Sequence, residues 1–162
     1  MPQLSEHPTV KQFRAKQATD AARSGPESLQ REWLRQVCLR AGADDVGFVE
    51  IDCPEIADQR SEILSLLPRT QTLVSLVMRM SRENIRTPAR SIANLEFHHT
   101  TDETNEVARK IVAELERIGV RAINGGAEGF PMEADSWGAK MSVVSHKPIA
   151  VAAGLVWCPR YS

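Results

Sequence analysis

Cysteine is scarce: Cys38, Cys53 and Cys158 are the only three in 162 residues, and no pair has C-x-x-C spacing. Such an odd, scattered set argues against a disulfide framework and against a zinc site built from cysteines alone. By themselves these thiols also do not hold a 4Fe-4S cluster, which takes a larger set of thiolates. An excess of charge of either sign is missing too. Twenty basic residues stand against 21 acidic ones, for a net charge of −1, and no basic stripe appears. No nucleic-acid partner is therefore expected. No apolar run approaches the ~20 residues that cross a bilayer, so no membrane span is expected. The N-terminal stretch MPQLSEHPTVKQFRAK lacks an apolar h-region, which predicts no secretory signal and a cytoplasmic location. Repeats and low-complexity tracts are absent.

The length suits one domain, and a chain of this size buries roughly two thirds of its unfolded surface. Residues 1–23 are polar and read as a mobile arm with room for a short helix. Residues 24–162 read as a single α/β domain. Ser24 and Glu27 have capping-box spacing before a helix whose apolar face carries Leu29, Trp33, Val37 and Cys38 and which stops at Gly42. DDVGFVEI predicts a strand. Asp52 and Glu55 repeat the capping-box spacing, with Pro54 at the first helical position and Pro68 as the stop. TLVSLVMRM is nearly all apolar, as a strand covered on both faces should be. Residues 81–100 read as irregular, and Thr100 with Glu103 marks a helix start. Val107, Ile111, Leu115 and Ile118 form its stripe and Gly119 its stop. A short third strand is predicted at Val120–Ile123 and a glycine-rich loop at 124–140. MSVV is a fourth strand or a bend, and Pro148–Leu155 a helix of small residues. Helices alternating with strands argue for an α/β sandwich. The glycines of 124–129 do not make G-x-G-x-x-G and lie too far along the chain for a dinucleotide-binding turn.

The order of these segments resembles the epoxyqueuosine reductase family and its relatives, the corrinoid reductive dehalogenases. Ala-Gly-Ala-Asp-Asp-Val-Gly-Phe, residues 41–48, resembles the family's first strand. Leu66-Leu67-Pro68 followed by TLVSL resembles its next helix and strand, and Phe97-His98 its aromatic–His step. The A-x-A-A-G-L run, Ala150 to Leu155, is similar to the family's A-A-x-A-G-L-G-W-x-G. The likeness covers roughly residues 28–155. It implies a nitroreductase-like, corrinoid-binding α/β sandwich, incomplete at the C-terminus. Family members continue into a cysteine-rich module with 4Fe-4S clusters. Here Val156-Trp157-Cys158-Pro159-Arg160-Tyr161-Ser162 departs from G-W-x-G and the chain stops. The expectation is the front part of a longer ferredoxin-type iron–sulfur protein, with its clusters in the missing part.

The resemblance also points to His146. The family carries a proton-donating acid eight positions before the glycine of A-G-L, and eight before Gly154 stands His146. An imidazolium also donates protons near neutral pH, though the substitution puts epoxyqueuosine itself in doubt as substrate. The other reading is a histidine hydrogen-bonded at a helix entrance. His98 and His99 either contact a cofactor's amide or phosphate groups, or cap a helix and meet solvent. Gly125, Gly126 and Glu128 lie in a loop that either walls a pocket for a flat ligand or merely connects two elements. Lys147 pairs with a phosphate or carboxylate or is simply solvated. Ala150, Ala152, Ala153 and Gly154 admit close approach of a macrocycle or of another helix. The predicted function is a fragment of an iron–sulfur, cobalamin-dependent reductase-like oxidoreductase, not redox-active alone. The alternative is a non-catalytic α/β module that binds a ligand or protein, dimerising through an open sheet edge.

Overall fold

The computed structural model describes residues 7–12, 25–26, 28–126, 132–134, 140–142 and 144–156. They form a mixed helix-and-strand unit. Residues 8–12 make a helical turn, as the N-terminal arm allowed; the Ser24–Glu27 capping box lies outside the described residues. Helix α1, Arg31–Ala41, buries Leu34, Val37 and Cys38 and ends at Gly42, whose φ of 122° needs glycine. Strand β1, Asp45–Glu50, follows directly. A 3₁₀ segment, Pro54–Gln59, then runs into helix α2, Arg60–Leu66. The predicted Asp52–Glu55 capping box does not form: Cys53 holds the cap position and no side chain caps the segment. Strand β2, Thr72–Val77, returns antiparallel to β1, from Asp45 opposite Val77 to Glu50 opposite Thr72.

Two sequence expectations fail in the next stretch. Residues 81–100 are not irregular: they form helix α3, Arg82–Arg86, and the start of helix α4, Arg90–Arg117. Thr100 opens no helix. It is buried in the middle of α4, and its carbonyl accepts the Thr104 hydroxyl. The extension is held by Glu96, whose carboxylate accepts the Ser81 N–H at 2.6 Å and the Asn84 amide at 2.7 Å. These bonds reach outside α4 itself, so helical periodicity does not announce them. Of the predicted stripe Val107, Ile111 and Leu115 are buried, while Ile118 stands half-buried at the cap, and Gly119 turns the chain at φ 83°. No strand forms at 120–123, because no described strand lies beside it to pair with. The glycine-rich loop instead contains two short antiparallel strands, β3 (Met132–Ala134) and β4 (Lys140–Ser142). The predicted fourth strand thus survives shifted by a residue. Helix α5, His146–Ala152, starts two residues before Pro148.

Side-chain alternation divides the β1–β2 sheet into two covered faces. Val46, Phe48, Val74 and Leu76 pack with α1 and α4 around Leu34, Val37, Val107 and Ile111. Val49, Ile51 and Leu73 pack on the other face with Ile56, Ile63, Val144 and Ile149. Here α5 rests on the 3₁₀ segment and on both strands. The Gln59 carboxamide accepts the Ser145 N–H at 2.5 Å and so fixes the entrance of α5, while its Nε2 is buried without a partner among the described residues. Both strands are thus partnered by helices on each side, which is why TLVSLV carries apolar residues in both registers.

Candidate functional site

Three short pieces converge where α5 meets the 3₁₀ segment. Val144 is fully buried and Ile149 nearly so, which pins both ends of the first turn of α5. His146 lies between them and is exposed. Its Nε2 sits 3.1 Å from the Gly126 carbonyl oxygen. A carbonyl only accepts, so Nε2 carries the proton of this bond. Gly126 is held in place by the Asn124 side chain, whose Oδ1 accepts the Gly126 N–H at 2.9 Å, and its φ of 81° requires glycine. Two predicted site residues far apart in sequence, His146 and Gly126, are therefore in direct contact. Gly125 adjoins them in the turn; Glu128 lies outside the described residues. Lys147 is exposed and has no partner among the described residues.

His98 and His99 are elsewhere. Both are exposed residues within α4, not in a loop before a helix, and His98 meets the Phe97 ring edge-on at 5.8 Å. Helix α4 packs on the sheet face opposite to that of α5. The sheet thus separates the helix of His98 and His99 from that of His146.

The small residues of A-x-A-A-G-L have a partner within the fold. A methyl group on Gly47 would stand 2.7 Å from the Ala153 Cβ and 2.9 Å from its carbonyl oxygen. Ala152 and Ala153 pack against the buried residues of that face. Gly154 is different: a Cβ there meets nothing within 4 Å, and its φ of 72° is what calls for glycine.

Two shallow depressions flank this contact. One of about 220 Å³ is lined by Glu55, Pro148, Val151 and Ala152. One of about 370 Å³ is lined by Phe48, Val49, Glu50, Asp52, Cys53, Pro54 and Ala152. Sequence reasoning did not single out Cys53 or Glu55 as site residues. The available signal was the D-C-P-E run immediately after a strand, where sheets commonly carry sites. The Cys53 thiol donates to Glu55 Oε2 at 2.8 Å. That bond, aided by partial burial and the nearby carboxylates, pushes the Cys53 thiol up; the same bond, with the Glu55 backbone N–H, draws the Glu55 carboxyl down against the opposing effect of burial. The pair is a protonated thiol beside a carboxylate, and not an activated nucleophile.

Among the described residues no group of three or more His, Cys, Asp or Glu is placed to hold a metal ion, and no helix is long and apolar enough to cross a membrane. A corrin does not fit what is present. The smallness of Gly47, Ala152 and Ala153 is used in contacts within the fold, and depressions of a few hundred Å³ suit only a small molecule. Comparisons with protein-family models, with curated proteins and with solved structures find no match for this chain.

Proposed function

We propose that the chain is part of an iron–sulfur, corrinoid-dependent reductase-type protein, for which it supplies α/β scaffold and an imidazole proton donor, His146, and that it is not redox-active alone. One observation supports this reading above others: Gly47 of the A-G-A-D-D-V-G-F motif packs against Ala153 of the A-x-A-A-G-L motif. Two separately noticed pieces of the resemblance are thus complementary surfaces of one contact. The exposed ring of His146, with its Nε2 proton held on a carbonyl, is compatible with delivery of a proton to a substrate. Clusters and corrin would be held by residues other than those described here. Reading the coding DNA past Ser162 tests this. A run of the type C-x-x-C-x-x-C-x-x-x-C-P in any frame supports the reading, and its absence removes it.

A second reading, an α/β module that works by protein association, is favoured by strand β2. All of Leu73 to Val77 is only partly buried, and among the described residues the strand pairs with β1 alone.

A further inference from the structure

The outer border of β1 is only partly used. Ile51 donates its N–H to the Gln71 carbonyl, which sets the register of the hydrogen-bonded pairs. In an antiparallel ladder such pairs alternate with non-bonded ones, so Val46, Phe48 and Glu50 turn their backbone groups away from β2. Those of Val46 are taken: its N–H donates to the Asp45 carboxylate, and its carbonyl accepts from Arg35. The Glu50 carbonyl accepts the Cys53 N–H. The Phe48 N–H and carbonyl and the Glu50 N–H have no partner among the described residues.

The larger of the two depressions, about 370 Å³, lies beside these groups, since Phe48, Val49 and Glu50 line it. Apart from Glu50 and Asp52 its lining is apolar. The chain itself leads there. Leu155 lies over Gly47, the residue before Phe48: a methyl group on Gly47 would stand 3.0 Å from the Leu155 Cγ. Val156 then stands 53% exposed. Trp157-Cys158-Pro159-Arg160-Tyr161-Ser162 follows, outside the described residues. Six residues reach up to ~20 Å when extended, whereas Phe48 to Glu50 covers only ~7 Å of strand. Two of the six, Trp157 and Tyr161, are aromatic, a kind of side chain that buries about 150–250 Å².

We propose that residues 157–162 are the occupant of this depression. The segment runs along the Phe48–Glu50 border, takes the free backbone groups and lays Trp157 on the apolar lining. It is strand addition by the chain's own end. A tethered segment meets its site at an effective concentration on the order of millimolar. A weak contact therefore suffices, and a separate ligand or a second copy has to displace it. The pose sets Cys158, next to Trp157, within reach of Cys53, which lines the same depression. Neither the reductase reading nor the association reading is needed for it.

Disulfide trapping on the full chain tests this. In a glutathione redox buffer, Cys53 and Cys158 each lose a proton and join through one S–S bond. The two electrons reduce glutathione disulfide to two glutathione thiols. Peptide mass mapping identifies the bond and separates it from any bond to the buried Cys38. The effective concentration of the Cys53–Cys158 pair should be about tenfold higher in the native chain than in the chain unfolded by guanidinium. In a Cys158→Ser background, Trp157→Ser/Tyr161→Ser should speed alkylation of Cys53 about fivefold as its cover is lost, with circular dichroism unchanged. Glutathione capping both cysteines with no bond between them overturns the proposal, as does an effective concentration no higher than in denaturant. A Cys53–Cys158 bond formed only between copies overturns it too, and so does alkylation indifferent to Trp157 and Tyr161. None of these outcomes touches the reductase reading, which stands or falls on the coding DNA.

Discussion

The two faces of the sheet are built by different means. The α1–α4 face is made by helices of 11 and 28 residues, whose apolar stripes are long enough to repeat. The α5 face is made by a six-residue 3₁₀ segment and helices of seven residues. No single one of those pieces is a stable helix by itself. They hold because Gln59 reaches Ser145 across 86 positions and because Gly47 admits Ala153. One face is local in origin and the other is long-range. The candidate site, with His146, Gly126, Cys53 and Glu55, lies with the second.

The strongest way to break this contrast is to open a cavity on each side. Ile111→Ala and Ile56→Ala remove side chains that are 5% and 0% exposed. Each should cost about 2–5 kcal/mol. In thermal melts both lower stability. In hydrogen exchange, Ile56→Ala should loosen α5 and the 3₁₀ segment while Thr100–Arg117 stays protected. Equal loosening of both faces would erase the distinction.

Gly47→Ala should cost about 1–3 kcal/mol by overpacking. Adding Ala153→Gly should recover part of that loss in a double-mutant cycle. Gly154→Ala, in open space but at a left-handed φ, should cost about 1–2 kcal/mol for the backbone alone, with no recovery by the same partner change. Chemical denaturation of five variants, Gly47→Ala, Ala153→Gly, Gly154→Ala and the two doubles with Ala153→Gly, measures all of this.

The same contrast explains what could be read in advance. Val37, Cys38, Val107, Ile111 and Leu115 are all buried, and their helical spacing announced it; Leu29 and Trp33 of the same predicted face are only half-buried. Gly42 and Gly119 stop their helices as anticipated. The start of α4 was illegible because Glu96 ties it down through contacts with Ser81 and Asn84, outside any periodic pattern. The His146–Gly126 contact was equally hidden: both residues were picked out, but nothing in their spacing says that they touch. Val120–Ile123 has strand-forming residues, yet a strand needs a neighbour, and no described strand comes beside it.

Smaller effects sharpen the picture by pH. The Ser81 N–H first, and the Asn84 amide second, hold the Glu96 carboxyl below the usual carboxylate range. A lowered folded-state value means that its stabilisation is complete above the ordinary glutamate value of ~4.3. It is lost as pH falls through the lower, folded value. Acid should therefore free α3 from α4, seen as a shift of the Ser81 amide resonance with a midpoint below that of free glutamate. Thiol chemistry gives the smallest readout. Burial pushes the Cys38 thiol up to about 11. In a Cys158→Ser background at neutral pH, Cys38 should resist a thiol reagent until unfolding. Cys53 should react slowly, and faster in Glu55→Gln.

Arg35 has a consequence beyond its own two bonds. The Val46 carbonyl is satisfied by the Arg35 guanidinium, so one side chain ties α1 to the start of β1. Replacing Arg35 with leucine strips the cover from the Val46 carbonyl and leaves the Asp45 carboxylate without its cation. The expected result, followed by chemical denaturation, is a lower midpoint, with hydrogen exchange rising first where α1 meets the start of β1.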